Sequence, residues 1–196
     1  VLNSEVMAWP VQRLDISPPS DGAAALILCS EEKAKQYTDD PIFIDGVGWN
    51  IDSTMWTNRD LYFPRYVANA AKMAYKEAAI TNPRKEIDLA EVHDCFTITE
   101  LLNCQDLQFC EPGKAAEELK NGTFNWDGET AVNPSGGLKS FGHPIGSTGC
   151  RMVQEVAKQI QGRAEGRQVP DARIGLAHNL GGAYAVCSVT ILGQPD

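Results

Sequence analysis

The sequence predicts a layered α/β domain built on a mostly buried sheet. Three observations carry that expectation. Short, continuous apolar runs recur along the chain, of the kind that strands buried on both faces require. Between them lie stretches whose apolar residues fall on helical spacing. No tandem repeat or low-complexity segment interrupts the alternation. With 196 residues, 43% of them hydrophobic, the chain can bury a sizeable core in one or two domains.

Residues 1 to 12 read as a short helical or extended opening, followed by Arg13-Leu14-Asp15-Ile16 and the turn cluster Ser17-Pro18-Pro19-Ser20-Asp21-Gly22. Ala23 to Cys29 is the first predicted strand, apolar throughout and expected to be buried on both faces. Ser30 has the character of an N-cap, with Glu31 and Glu32 biased into the first turn of a brief helix. Ile42 to Trp49 is the second strand, with a Gly46-x-Gly48 interruption suited to a bulge. Residues 51 to 64 lack a period and read as a loop carrying Trp56 and Tyr62. From Arg65 to Ile80, Tyr66, Ala70, Met73, Ala74 and Ala78 recur at helical spacing until Asn82-Pro83 stops the helix.

Ile87 to Val92 is the third strand, and it delivers His93-Asp94-Cys95-Phe96 at its C-terminal end. Thr97 then caps a predicted helix through about Phe109, with Ile98, Leu101 and Leu102 on one side. Residues 112 to 130, mostly polar, are expected to leave the core, a hairpin being one form of that excursion. Cys150, Val153, Val156, Ala157 and Ile160 mark an amphipathic helix ending near Gly162. After a basic, polar loop (163 to 173), Ile174 to Ala177 forms a strand, His178 to Gly182 a tight turn, and Ala183 to Leu192 the last strand.

Residues 133 to 149, Asn-Pro-Ser-Gly-Gly-Leu-Lys-Ser-Phe-Gly-His-Pro-Ile-Gly-Ser-Thr-Gly, stand apart because five of the seventeen are glycine. Such a backbone can approach a ligand closely. His143 at its centre suits a catalytic base or oxyanion donor. The same glycines also suit a phosphate loop with an incidental histidine, and spacing does not separate the two. A lone histidine is more often structural than catalytic. Here, though, all three histidines (93, 143, 178) follow a predicted strand end or open a helix, where α/β sheets hold ligands. A metal held by His93, Asp94, His143 and His178 is a further alternative, but the spacing matches no compact ligand motif.

The formal net charge of −9 argues against nucleic acid as a partner, since phosphate backbones need clustered Lys and Arg. No apolar run approaches the roughly 18 residues of a membrane span, and no signal-peptide pattern opens the chain. Six cysteines (29, 95, 104, 110, 150, 187) occur without CxxC pairs, as expected of reduced thiols in a cytoplasmic setting. The usual fate of such a cysteine is a small buried thiol. Cys95 alone lies at a strand end within two residues of a histidine, which fits an acid/base thiol. A start at Val1 instead of methionine is expected of a piece of something longer.

Three stretches together resemble the thiolase superfamily: His-Asp-Cys-Phe at 93 to 96, the glycine-rich run at 133 to 149, and His-Asn-Leu-Gly-Gly at 178 to 182. The likeness is greatest to the sterol-carrier-protein-2-type thiolases and their archaeal and bacterial relatives. Residues 17 to 28 resemble the last strand of the thiolase N-terminal domain. The resemblance therefore implies a layered α/β/α fold, with residues 1 to 38 closing the N-terminal domain and 39 to 196 forming a C-terminal domain on a mixed five-stranded sheet. Only the second half of a thiolase is matched. The nucleophilic cysteine and most of the loop domain that helps hold coenzyme A belong to the first half, so this chain alone is expected to be inactive.

The resemblance also implies roles. His143 would activate the nucleophile and donate to the thioester oxygen, and His93 would complete that oxyanion hole. Asn179-Leu180-Gly181 occupies the place of the Cys-x-Gly motif of biosynthetic thiolases, which leaves Cys95 as the candidate acid/base. The Gly181 N–H would serve the acyl-enzyme oxyanion hole, with Gly182, Asn179 and His178 around it. No tightly bound cofactor is implied, only coenzyme A and acyl-CoA as substrates of lipid metabolism. The implied partners are the N-terminal half, a second copy in a dimer or tetramer, and a zinc-ribbon/OB-fold accessory protein. The ending Gly-Gln-Pro-Asp, without a peroxisomal tripeptide, points to the cytoplasm. Two other readings remain: a thiolase-like retro-aldolase or condensing enzyme on an unusual acyl-CoA, and a non-catalytic thiolase-like subunit.

Overall fold

A computed structural model describes residues 1–60, 65–182 and 184–194, without the side chain of Trp56. Tyr62 of the expected 51–64 loop lies outside the described residues. Along the chain run β1 (Val6–Ala8), β2 (Val11–Gln12), α1 (Glu31–Tyr37), β3 (Phe43–Ile51), α2 (Arg65–Glu77), α3 (Pro83–Glu86), β4 (Leu89–Val92), α4 (Thr97–Asp106), α5 (Ala115–Lys120), β5 (Ala131–Val132), α6 (Gly137–Phe141), α7 (Thr148–Ile160), β6 (Ile174–Gly181) and β7 (Val186–Gly193).

The main sheet has the order β3-β7-β6-β4-β5. β4 runs parallel to β5 and β6, whereas β7 is antiparallel to both β6 and β3, so the five-stranded sheet is mixed as expected. Alternate side chains of β6 serve different cores. Leu176 and Leu180 join Tyr66, Val67, Ala70, Ala74, Phe109, Val189 and Ile191 under α2 and α4. Ala177 joins Met152, Val156, Ile160, Leu89 and Leu192 under α7. Helices thus cover both faces of the sheet, the layered α/β/α arrangement.

The bulge expected in β3 lies between Ile44 and Gly46. Gly46 and Gly48 have a second reason to be glycine: a Cβ on either would collide with the backbone carbonyls of Ala74 and Ala70. Helix α2 therefore rests directly on the strand backbone.

Four expectations need correction. Ala23–Cys29 is not a strand: it has no ladder partner among the described residues and lies open, Ile27 at 95% exposure. An apolar run forms a strand only where another strand satisfies its N–H and C=O groups. Residues 178–181 are not a turn but the end of β6, laddered to β4 and β7, and the described turn residues are Gly182, Tyr184 and Ala185. In the 112–130 excursion the regular element is a helix, α5, in place of a hairpin, and Ala115 and Phe124 tie the segment to the core. In α4 the N-cap position belongs to Phe96, and the buried side is Thr99, Asn103 and Cys104, while Ile98 is exposed.

Candidate active site

Because β4 and β6 are parallel neighbours, their C-terminal ends emerge together, where ligands of α/β sheets gather. Val92 pairs with His178, so the next residues, His93 and Asn179, also meet. His93 Nδ1–H donates to Asn179 Oδ1 at 2.8 Å; the acceptor is a carbonyl oxygen, so the proton must sit on Nδ1 and Nε2 keeps its lone pair. Asn103 Nδ2 donates to the His93 carbonyl at 2.7 Å, and the His93 N–H donates to His178 Nδ1 at 3.4 Å. Burial pushes His93 down to about 4 and the wholly buried His178 to about 3, so both rings are neutral at pH 7.

The glycine-rich stretch crosses above this strand end and brings the ring of His143 to 5.0 Å from that of His93, edge to face at 83°. Its Nδ1 lies 2.8 Å from the Thr148 hydroxyl, which also reaches Pro144 O at 3.2 Å; with that hydroxyl donating to Pro144 O, it accepts from His143 Nδ1–H. Nε2 of His143 is thereby left as a base. Burial lowers the pKa of His143 as well.

Two positions show why the stretch is glycine-rich. Gly137 (φ +64°) and Gly142 (φ +87°) are left-handed, and a Cβ there would strike the carboxylate of Asp94 and the hydroxyl of Ser20 respectively. Asp94, weighed above as a metal ligand, turns away from the cavity. It accepts the Leu138 N–H at 2.9 Å, and burial raises its carboxyl to about 6. Glu91, two residues before His93, braces the same loop by accepting the Ser135 hydroxyl at 2.7 Å. Its partner Arg151, 3.7 Å away, lies 3.1 Å over the Phe141 ring, next to Gly142. Burial outweighs the Ser135 and Arg151 contacts and pushes the Glu91 carboxyl up to about 7.

His93, Cys95, His143, Gly181 and Gly182 line one cavity of about 350 Å³, together with Ile16, Ser17, Phe96, Ile145, Leu180 and Tyr184. His178 and Asn179 do not line it. His178 lies in the core, and Asn179 holds His93 from behind. A strap from residues 16 to 20 closes one side: the Ser17 N–H donates to Cys95 O at 2.9 Å, and the His143 N–H to Ser20 Oγ at 3.0 Å. A second cavity of about 340 Å³, lined among others by Tyr66, Leu102 and Asp106, shares Phe96, Leu180 and Tyr184 with the first. Among the described residues no group of three or more His, Cys, Asp or Glu side chains could hold a metal ion.

Sequence reading missed Thr148, Glu91 and Tyr184. Thr148 lies five residues after His143, close enough to be suspected. Tyr184, whose phenol oxygen stands 2.7 Å from Cys95 Sγ, is 89 residues from that thiol, and no local pattern links them.

Comparison with known proteins gives the chain its relatives. The model of the thiolase C-terminal domain-like family matches residues 49–194. The acetyl-CoA acetyltransferase of Methanothermobacter thermautotrophicus is 42% identical over 195 residues, 99% of this chain and 50% of that protein. Sterol carrier protein 2 of Oryctolagus cuniculus is 35% identical over 93% of this chain and 34% of its own length. Among solved structures, the Ltp2-ChsH2(DUF35) aldolase overlays with a TM-score of 0.82 at 21% identity, covering 98% of this chain and 50% of that one. The Bacillus anthracis acetyl-CoA acetyltransferase gives 0.66 at 20%, covering 94% and 39%. At those identities the structural likeness speaks for the fold. The chain spans half or less of the length of these relatives. It belongs to the thiolase C-terminal domain-like family.

Proposed function

We propose that this chain is the acid/base half of a thiolase-type acyltransferase, acting on a 3-ketoacyl-CoA in cleavage or on acyl-CoA units in condensation. The observation that carries the reading is the convergence of His143, His93 and Cys95 on one cavity edged by Gly181 and Gly182. The nucleophilic cysteine comes from the first half of the enzyme. That the relatives are twice as long or more supports this, as does the open apolar run at 23–29, which needs a covering strand.

In cleavage, His143 Nε2 takes the proton of the nucleophilic thiol, and the thiolate adds to the 3-keto carbon. The C2–C3 bond breaks, leaving an acyl thioester on the enzyme and an acetyl-CoA enolate. Cys95 gives its thiol proton to C2 of that enolate and later recovers one from incoming coenzyme A, whose thiolate takes the acyl group and expels the nucleophilic thiolate, which takes its proton back from His143. Balance is kept at each step, with no external oxidant or metal. The neutral His143 becomes a cationic donor once it has taken the proton, so it can then face the developing oxyanion. The Gly181 N–H is assigned to the acyl-enzyme oxygen, and a second copy of the chain to the assembled enzyme.

The test is cleavage of acetoacetyl-CoA by the enzyme assembled with its first half. Coenzyme-A-dependent release of acetyl-CoA is expected. Coenzyme-A-independent cleavage of a 3-hydroxyacyl-CoA would replace the reading with an aldolase, and no turnover of either with a non-catalytic subunit. Cys95→Ala is expected to lower turnover on the order of 100-fold with the fold intact, and a near-normal rate would remove Cys95 from the mechanism.

A further inference from the structure

Cys95 is in contact with a group the proposed mechanism has not used. The phenol of Tyr184 lies 2.7 Å from its Sγ, and Thr99 Oγ1 lies 3.5 Å beyond that phenol oxygen. The three groups form a chain from the cavity into the protein: thiol, phenol, alcohol. Cys95 follows β4, Thr99 is in the first turn of α4, and Tyr184 sits in the turn between β6 and β7.

That turn is held in an unusual shape. Tyr184 has φ +59°, a left-handed conformation that a residue with a side chain adopts only where its surroundings enforce it. They do so from both sides. Arg59 Nη1 donates to Tyr184 O at 2.7 Å, the Ala185 N–H donates to Gly181 O at 3.1 Å, and the Asp52 N–H donates to Ala185 O at 2.7 Å. The turn so held places the phenol against the thiol.

An acid/base thiol has a specific difficulty here. Burial raises the pKa of Cys95, with the Asp94 carboxylate adding to the effect, so the thiolate left after proton donation is disfavoured. A donor that follows the proton would offset this. Either atom of each pair can donate, so while Cys95 is protonated its S–H can donate to Tyr184 Oη and the phenol O–H to Thr99 Oγ1. Once the proton has gone to the substrate carbon, the phenol O–H turns to the sulfur and the Thr99 hydroxyl turns to the phenol. No proton leaves Tyr184, whose own pKa is raised by burial and by the thiol.

Resting on the acid/base reading of Cys95, we propose that Tyr184, backed by Thr99, is a positioning residue whose phenol holds the Cys95 thiolate by a reversible hydrogen bond. The other titratable or charged groups around the pair are Asp94 beside the thiol, His93 and His143 across the cavity, and Tyr66, Asp106, Asp60 and Arg59 behind the phenol.

The readout is the pH dependence of Cys95 alkylation by iodoacetamide in the assembled enzyme, followed for the Cys95 peptide by mass spectrometry. In Tyr184→Phe the midpoint for Cys95 is expected to rise by about one pH unit or more, the size of a hydrogen bond to a charged group. With it, kcat falls roughly tenfold and KM stays unchanged. Thr99→Val, which leaves the phenol in place, raises the midpoint by less and serves if Tyr184→Phe does not fold. An unmoved midpoint in either folded variant, while Cys95→Ala shows its expected loss of turnover, overturns the Tyr184 proposal alone. Normal turnover by Cys95→Ala overturns instead the reading on which it rests.

Discussion

The glycine-rich stretch at 133–149 and the segment 178–182 both carry a histidine among glycines, yet the structure uses them in opposite ways. The first is a looped wall with little ladder of its own, held by side chains from elsewhere: Glu91 on Ser135, Asp94 on Leu138, Ser20 on His143. Its histidine is half-buried and keeps a basic nitrogen. The second is largely strand, tied on both sides by β4 and β7, and its histidine is sealed in the core. A histidine's chemistry follows from which of its nitrogens the fold leaves unspent, and a histidine behind the reacting pair can matter by supporting them.

Breaking the first region should therefore cost rate, and breaking the second should cost stability. The largest effect is expected from His143→Ala in the assembled enzyme: turnover down about 10²- to 10⁴-fold, the range of general base catalysis. Its circular dichroism and urea midpoint should stay near wild type. A loss of fold in that variant would erase the contrast.

Gly137→Ala tests how far the wall depends on glycine. The left-handed φ and the Asp94 carboxylate both oppose a methyl group, and a loss of roughly 1–3 kcal/mol of stability is expected in urea unfolding. Wild-type stability would show that the loop can shift aside without cost.

The smallest effect sharpens the second region. The His178 ring is pushed from 6.5 to about 3 in the folded chain, whereas the unfolded chain holds its proton near the ordinary value. Between those values the unfolded state binds more protons, so the stability contributed by neutral His178 is full above 6.5 and lost as pH falls toward 3. Relative to wild type, His178→Leu should gain roughly 2 kcal/mol on going from pH 7 to pH 5. A pH-independent difference would mean that the ring is not buried as a neutral group. Catalysis follows the same sign: with all three rings lowered by burial, the acid limb of turnover should fall below pH 6.5.

Much of the fold was legible in the sequence. α2 and α7 follow from apolar spacing, and β3, β4 and β7 from apolar runs, because these patterns report the face that each element buries. The sites of His93, Cys95 and His143 were legible as strand ends and glycine turns. Less was legible at 23–29, where hydrophobicity was read correctly as strand-like but pairing depends on a neighbour the run does not have among the described residues. At 178–182 two glycines suggested a turn, although the ladder with Val92 holds His178 in β6.

By itself the sequence determined the kinds of element, their order, and the residue types able to hold a proton, since these depend on side-chain chemistry and local period. Only the tertiary structure decided which nitrogen of each histidine is free, that Asp94 and Glu91 brace the glycine wall, and that Tyr184 meets Cys95. Apart from the Thr148 contact, five residues from His143, those facts rest on contacts between residues about forty to ninety positions apart. The parallel register of β4 and β6 creates such contacts, and no local pattern of residues records them.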